Sequence, residues 1–407
     1  MDSQKDQKTL RFPDNFTWGA ATSSHQIEGG LVNDWSEWES SQKRILELKD
    51  KNKNPDDFIS GKACNSYELF DKDLECIKDL NLKAYRFSID WSRVEPEKGV
   101  FSEEGIRYYK DVVRKLKENN IEPFVTIWHW PVPLWLKEEG GWEAKNIVKY
   151  FTFLTEKMVT ELKDVNFWIT LNEPEIYTMN SYGTGKWPPQ KKSIISCLNI
   201  YHKLIKAHKA AYVIIKKINP FAQIGIAKHN IFFEAHGNSS VNNALKGLAD
   251  WGWNFYFLNK IKNHQDFIGL NHYFHNRINY GFNKNDNELK SDMGWELYPE
   301  AIFHCLEDLR KYDKPIYITE NGLADREDKY RPWFIEESLK NVYKAIQLGT
   351  DVRGYFYWSM LDNFEWAAGY DPKFGLYSVD RKTFKRTPRP SAKLYSEICR
   401  NNEITIE

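Results

Sequence analysis

Eight short apolar, β-rich runs recur along the chain: FTWGAAT (16–22), AYRFSI (84–89), PFVTIW (123–128), NFWITL (166–171), AQIGIA (222–227), DFIGLN (266–271), PIYITE (315–320) and GYFYWS (354–359). They are nearly continuous in apolar residues, as parallel strands buried on both faces are. Helical stripes lie between them: Phe70, Leu74 and Ile77; Ile106, Tyr109, Val113 and Leu116; Leu198, Tyr201, Ile205 and Tyr212; Ile335, Leu339, Val342 and Ile346. Ser102, with Glu103 and Glu104 after it, supplies a capping hydroxyl and an acidic first turn. Eight strand–helix units predict the α/β class and a (β/α)₈ TIM barrel, as a single domain over residues 10–407. An open doubly wound sheet is the competing fold, but the chain has no Gly-rich phosphate turn of the GxGxxG or GxxxxGK[ST] kind. Residues 39–62, charged and containing Asn-Pro-Asp-Asp, read as a long surface loop, and residues 1–9 as a disordered tail.

Composition narrows the partners. The 407 residues carry 57 basic and 57 acidic side chains. Balanced charge speaks against a nucleic-acid footprint or a polybasic membrane anchor. No apolar run is long enough to span a bilayer, and the polar start MDSQKDQKT has no signal-peptide core, so a cytoplasmic protein is expected. The five cysteines are scattered without a CxxC pair, which fits reduced, buried thiols. Aromatic residues make up 15% of the chain. Such a fraction serves either an aromatic core or a ligand with flat apolar faces, such as a sugar.

Active sites of these barrels lie at the C-terminal ends of the strands. The eight runs contain or lead into polar and aromatic residues: Trp18, Gln26 and Glu28; Arg86; His129 and Trp130; Asn172 and Glu173; His229 and Asn230; Asn271 and Tyr273; Glu320 and Asn321; Trp358, Asp362, Glu365 and Trp366. One buried Glu alone reads more readily as a structural ion pair. Glu173 and Glu320 each come after an apolar strand and each sits beside an Asn, and across a closed barrel strands four and seven can face each other over one central pocket. Two carboxylates on one pocket are the equipment for cleaving a glycosidic bond. One must be protonated and the other ionised, so their surroundings must drive their proton affinities apart. Arg86 near Glu320 would hold it ionised; a less polar surround and the neighbouring charge would raise the proton affinity of Glu173. The histidines of HYFH (272–275) have a metal-like spacing but no HExxH helix around them, and no metal site is expected there.

The segments TLNEP (170–174) and ITENG (318–322) resemble the acid/base and nucleophile motifs of glycoside hydrolase family 1, the β-glucosidase family. FTWGAATSSHQIEG (16–29), AYRFSIDWSRVEP (84–96), WHWPVPLWL (128–136), DFIGLNHY (266–273), SDMGWELYPE (291–300) and YWSMLDNFEWAAGYDPKFGLYSVD (357–380) resemble it too, so the likeness runs from about residue 10 to 398. The resemblance implies that Glu320 is the nucleophile and Glu173 the general acid/base. It implies that Asn172 binds the sugar 2-hydroxyl, and that Arg86 and Tyr273 orient the nucleophile. Gln26, His129, Trp130, Glu365 and Trp366 would hold the other hydroxyls, with Trp358 as the floor under the ring and Phe374 beside it.

Departures sharpen this reading. Glu365 and Phe374 stand where members acting on 6-phosphosugars resemble one another in carrying Ser and Tyr, so an unphosphorylated sugar is expected. Glu173 stands where plant thioglucosidases of the family have lost their acid/base residue. Lys373 replaces the usual Arg, and His272-Tyr273 the usual Tyr-Tyr. The stretch between strands five and six, 229–265, reads as shorter than in typical members, which predicts a more open aglycone site. The implied function is a retaining β-glycosidase, first a β-glucosidase, with β-galactosidase and β-fucosidase activities sharing the pocket. Its partner would be a small β-glycoside or short oligosaccharide, and neither metal nor organic cofactor is called for. A carbohydrate-binding or ligand-sensing barrel with little turnover is the alternative, since a fold alone guarantees no activity.

Overall fold

The computed structural model describes residues 8–406. Eight parallel strands close into a barrel: β1 (Thr17–Ala21), β2 (Ala84–Ser88), β3 (Glu122–Trp128), β4 (Phe167–Asn172), β5 (Gln223–His229), β6 (Ile268–Asn271), β7 (Ile316–Asn321) and β8 (Val352–Trp358). Each pairs with its sequence neighbours, and β8 closes on β1 with Gly354 opposite Thr17 and Trp358 opposite Ala21. All eight expected strands are present, within two residues at each end. The register matters for the site. Asn271 lies opposite both His229 and Glu320, and Asn172 opposite Ala227, so the polar ends of β4 to β7 reach the same level.

Large and small side chains alternate inside the barrel, as a closed taper requires. Phe124, Phe267, Tyr317 and Phe356 fill it together with Ala21, Ala84, Ile169 and Ala227. A Cβ on Gly19 would stand 2.4 Å from the Phe356 ring, and one on Gly225 2.5 Å from Phe267, so these rings lie directly on glycine backbone. The plug they form is the base on which the site rests. A second, larger core lies between strands and outer helices.

The expected stripes fall on helices Ser66–Asp79, Glu103–Glu118, Ile194–Ile218 and Arg331–Gln347. Ser102 caps its helix by accepting the Gly105 N–H at 3.1 Å. The third stripe is rotated from expectation. Leu198 is 54% exposed, and Cys197, Ile200, Leu204, Ala207, His208 and Ala211 complete the buried face. The stretch 39–62 is not a plain loop: it contains a helix, Gln42–Asp50, capped by Ser41 and anchored by buried Leu48, and a 3₁₀ turn, Pro55–Phe58, anchored by Phe58. Residues 1–7 of the expected tail lie outside the described residues. Lys8 and Thr9 belong to a strand, Lys8–Arg11, that pairs antiparallel with Glu403–Ile406.

Between β5 and β6 the chain forms a short strand, Phe232–Ala235, then a helix, Ser240–Ala249, which passes through a π turn, Asp250–Phe255, into Tyr256–Ile261. The short strand pairs in parallel with His275–Ile278, just beyond β6, making a two-stranded sheet beside the barrel mouth. His275 is buried between Glu296 and Glu234, at 2.7 and 2.9 Å, and His272 contacts the Asn230 carbonyl at 3.0 Å. No helix among the described residues is long and apolar enough to cross a membrane.

Candidate active site

β4 ends at Asn172, and Glu173 then takes a left-handed backbone (φ 43°) that turns the chain into helix Pro174–Thr178. Trp130 (φ 86°) and Trp366 (φ 50°) are held in the same region. Such conformations are costly for bulky residues and gather where a site over-determines them. All three line one pocket of about 430 Å³ at the C-terminal mouth of the barrel, a size typical of small-molecule sites. A larger surface groove, about 680 Å³, lies between helix Ser66–Asp79 and Thr383–Arg386, away from these carboxylates.

The two glutamates share the pocket but differ in their partners. Glu320 accepts from Arg86 Nη1 at 2.5 Å and from the Tyr273 hydroxyl at 2.6 Å. Glu173 accepts from Asn271 Nδ2 at 2.8 Å and, among the described residues, has no cation in hydrogen-bonding contact. Burial, and then the charge of Glu320, pushes the Glu173 carboxyl well above the usual carboxylate range. A polar chain links the two: Arg86 Nη2 donates to Asn172 Oδ1 at 2.6 Å, and Asn271 Nδ2 lies 3.3 Å from the same oxygen. Asn172 therefore presents its amide nitrogen to His129 Nε2, 3.0 Å away.

That contact makes His129 Nε2 an acceptor, so its proton sits on Nδ1, which is buried without a protein partner. Burial, and then the Arg86 charge, lowers the His129 pKa well below its usual value, so the ring is neutral. Trp130 Nε1 donates to the Asn172 carbonyl at 2.9 Å. Trp130 and Trp366 pack at 4.6 Å between ring centres, with Trp35 and Trp187 against them. His25 stacks on Trp366, 5.5 Å apart and 10° from parallel. Trp358 and Phe374 are buried in the pocket wall. Burial, and then Glu320, pushes the Glu365 carboxyl up to about 8.

Most of the residues given a role from the sequence thus converge on one pocket, whereas three of the other strand-end residues are engaged elsewhere: Trp18 donates to Asn402, Glu28 pairs with Arg93 and Asp362 with Arg389. Arg86 and Gln26 stand behind the pocket wall. Gln26 is fully buried and donates to Glu365 at 3.1 Å, while its own carbonyl accepts from Ser23 at 2.6 Å. Among the lining residues that sequence reasoning left out are Trp187, Trp295, Phe274, Met293 and Lys186, while His229, picked out at the end of β5, also lines the pocket. Most of these lie in irregular segments, where no periodicity marks a side chain as inward-facing. Asn271 was also missed as a site residue, although its place at a strand end beside Tyr273 parallels that of Asn172.

A sequence model of the family described as Glycosyl hydrolase family 1 matches residues 8–260 and 239–404, two segments that overlap in the β5–β6 connection. A 1,4-beta-D-glucan glucohydrolase of Thermotoga neapolitana is 32% identical over 97% of this chain and 99% of its own. Beta-glucosidase A of Acetivibrio thermocellus is 32% identical with the same coverage. Among solved structures, a beta-glycosidase from Pyrococcus horikoshii matches with a TM-score of 0.89 and 37% identity, over 98% of this chain and 96% of that one. A beta-glucosidase from Thermotoga maritima in complex with glucoimidazole matches with a TM-score of 0.89 and 31% identity, over 97% and 99%. With its closed eight-strand barrel and a family match running nearly end to end, the chain belongs to glycosyl hydrolase family 1.

Proposed function

We propose that the protein is a retaining β-glycosidase, in the first place a β-glucosidase, with Glu320 as nucleophile and Glu173 as general acid/base. The observation that carries this reading is the unequal setting of two carboxyls on one pocket. Glu320 is bound by a guanidinium and a phenol, while Glu173 is buried beside a negative charge with a single amide donor. A Glu320 oxygen attacks the anomeric carbon as Glu173 protonates the departing glycosidic oxygen. The C–O bond to the aglycone breaks, its electron pair leaves with that oxygen, and a glycosyl ester of Glu320 forms. Glu173, now ionised, takes a proton from water, which attacks the anomeric carbon and frees Glu320. Two inversions restore the β configuration.

The remaining residues fit a pyranose. Asn172 sits between Arg86 and His129, where a 2-hydroxyl would lie beside the nucleophile. His129 Nδ1 has a proton free for a ring hydroxyl, and Glu365 offers a carboxyl. Trp358 supplies an apolar face for the ring. The thioglucosidase and phosphosugar variants of the family remain disfavoured by Glu173, Glu365 and Phe374. The β5–β6 connection, read as shortened, would leave the aglycone side open, so bulky aglycones should be accepted. A crystal pocket no wider than in full-length relatives would refute that. The five cysteines are buried and unpaired, which supports a reducing, cytoplasmic setting.

A panel of chromogenic aryl β-glycosides, run on the protein and on Glu320→Ala, tests the assignment. Hydrolysis should fall by at least about 10⁴-fold in the variant with its circular dichroism and melting profile retained. Unchanged turnover would overturn the mechanism, and absence of turnover on every glycoside by the unaltered protein would favour a binding barrel.

A further inference from the structure

The turn that carries Glu173 is fastened to β5 by a buried ion pair. The β4–β5 ladder reaches Asn172 opposite Ala227, and the Glu173 N–H then donates to the Ala227 carbonyl at 2.8 Å. Two residues later the backbone has left for the helix, and the Glu175 side chain takes over. Its Oε1 accepts the His229 N–H at 2.7 Å, satisfying a donor at the end of β5. The same oxygen lies 2.9 Å from Lys228 Nζ. Lys228 is fully buried, and its ammonium also donates to the carbonyls of His229 and Trp253, each at 2.7 Å. All three ammonium protons therefore have acceptors. Trp253 belongs to the π turn of the β5–β6 connection, so one ammonium joins the Glu173 turn, the end of β5 and that connection.

An apolar pair of similar volume would hold these elements with no charge to desolvate. An apolar pair would leave the His229 N–H without the Glu175 acceptor and the His229 and Trp253 carbonyls without the ammonium, and it would place no fixed charge behind Glu173. We propose that the Glu175–Lys228 pair is a positioning device for Glu173, fixing the turn that carries its carboxyl and the electrostatic field in which that carboxyl works. This rests on the reading of Glu173 as the acid/base.

Several groups face that carboxyl. Glu320 comes from β7, Arg86 from β2, Asn271 and Tyr273 from the end of β6, Lys228 and His229 from β5, and Glu175 from its own helix. Burial and Glu320 raise the Glu173 proton affinity most. Asn271 lowers it, Glu175 raises it further, and Arg86 lowers it. His229 is neutral, since burial and the Lys228 charge take its pKa well below the usual value. Glu175 thus adds to the retention of the proton, and Lys228 holds Glu175 at a fixed place.

The test is the pH profile of kcat/KM on one aryl glucoside. In Glu175→Gln the alkaline limb should move to lower pH by about half to one unit, because a like charge is lost and Lys228 is left unbalanced. In the double variant Glu175→Gln/Lys228→Met the limb should move in the same direction by less, since the ammonium is gone too. The double variant keeps an acceptor for the His229 N–H and decides the matter if the single one does not fold. A uniformly lower rate with an unmoved limb would reduce the pair to a structural contact and overturn the proposal. Glu173→Gln on the same glucoside separates the two claims. It should abolish the alkaline limb, and a limb that persists there would show that the acid/base reading is the one at fault.

Discussion

Arg86 donates to Glu320 across 2.5 Å, with the guanidinium fully buried and the carboxylate 5% exposed. Removing one partner from such a pair leaves an uncompensated buried charge. Arg86→Met should therefore lower stability by about 3–5 kcal/mol, read from denaturant midpoints at pH 7. It should also lower kcat by roughly 10²–10³-fold, because Arg86 aligns Asn172 as well. Wild-type stability in Arg86→Met would contradict the pair's role.

With Glu173 as the proposed general acid, its carboxyl should set the alkaline side of the activity profile. Burial and the charge of Glu320 raise its folded proton affinity, so the protonated acid persists to higher pH than for an ordinary carboxyl and is lost as pH rises through the folded value. Activity on glycosides with poor leaving groups should fall on that limb. Glu173→Gln should lose turnover of poor leaving groups, roughly 10²–10⁴-fold, and lose far less on a dinitrophenyl glycoside. Equal losses on both substrates would exclude acid catalysis by this residue.

Glu365 predicts a stability trend of definite sign. Its carboxyl is raised from 4.5 to about 8, so the folded state binds the proton more tightly than the unfolded chain. Stability from this group is present below about pH 4.5 and declines as pH rises toward about 8. Glu365→Gln should flatten that decline. Thermal melts of both proteins at pH 5, 7 and 9 check it, and parallel melting curves would refute the assignment.

Trp366 both packs in the aromatic cluster and lines the pocket, so its replacement should affect stability and binding separately. It is 4% exposed and packs on Trp35, Trp130 and His25. Trp366→Ala should cost about 3–5 kcal/mol of stability and raise KM for aryl glucosides. Trp366→Phe should recover most of the stability but not the KM. Recovery of both would limit the residue to core packing.

The barrel was legible because its strands are buried on both faces and therefore read as unbroken apolar runs. Helix Gln42–Asp50 was missed because its polar face dominates, and only Leu48 is buried. Leu198 was misplaced because a stripe of four residues does not define a helix face in a 25-residue helix with apolar residues on several sides. Trp187 and Trp295 come from loops, where spacing carries no directional signal. The Glu175–Lys228 pair joins residues on different elements whose charges have no sequence signature.

By itself the sequence determined the class of fold and the family, and it singled out the strand ends and the pair of glutamates proposed to carry the chemistry, because local hydrophobic pattern and motif identity are properties of the chain. Tertiary structure alone decided which carboxyl keeps company with a guanidinium and which is buried beside a negative charge. It also decided that Gln26 stands behind Glu365, and that Lys228 ties the Glu173 turn to β5. Proton affinity and orientation depend on what lies within a few ångströms, and barrel closure brings those neighbours from strands far apart in the chain.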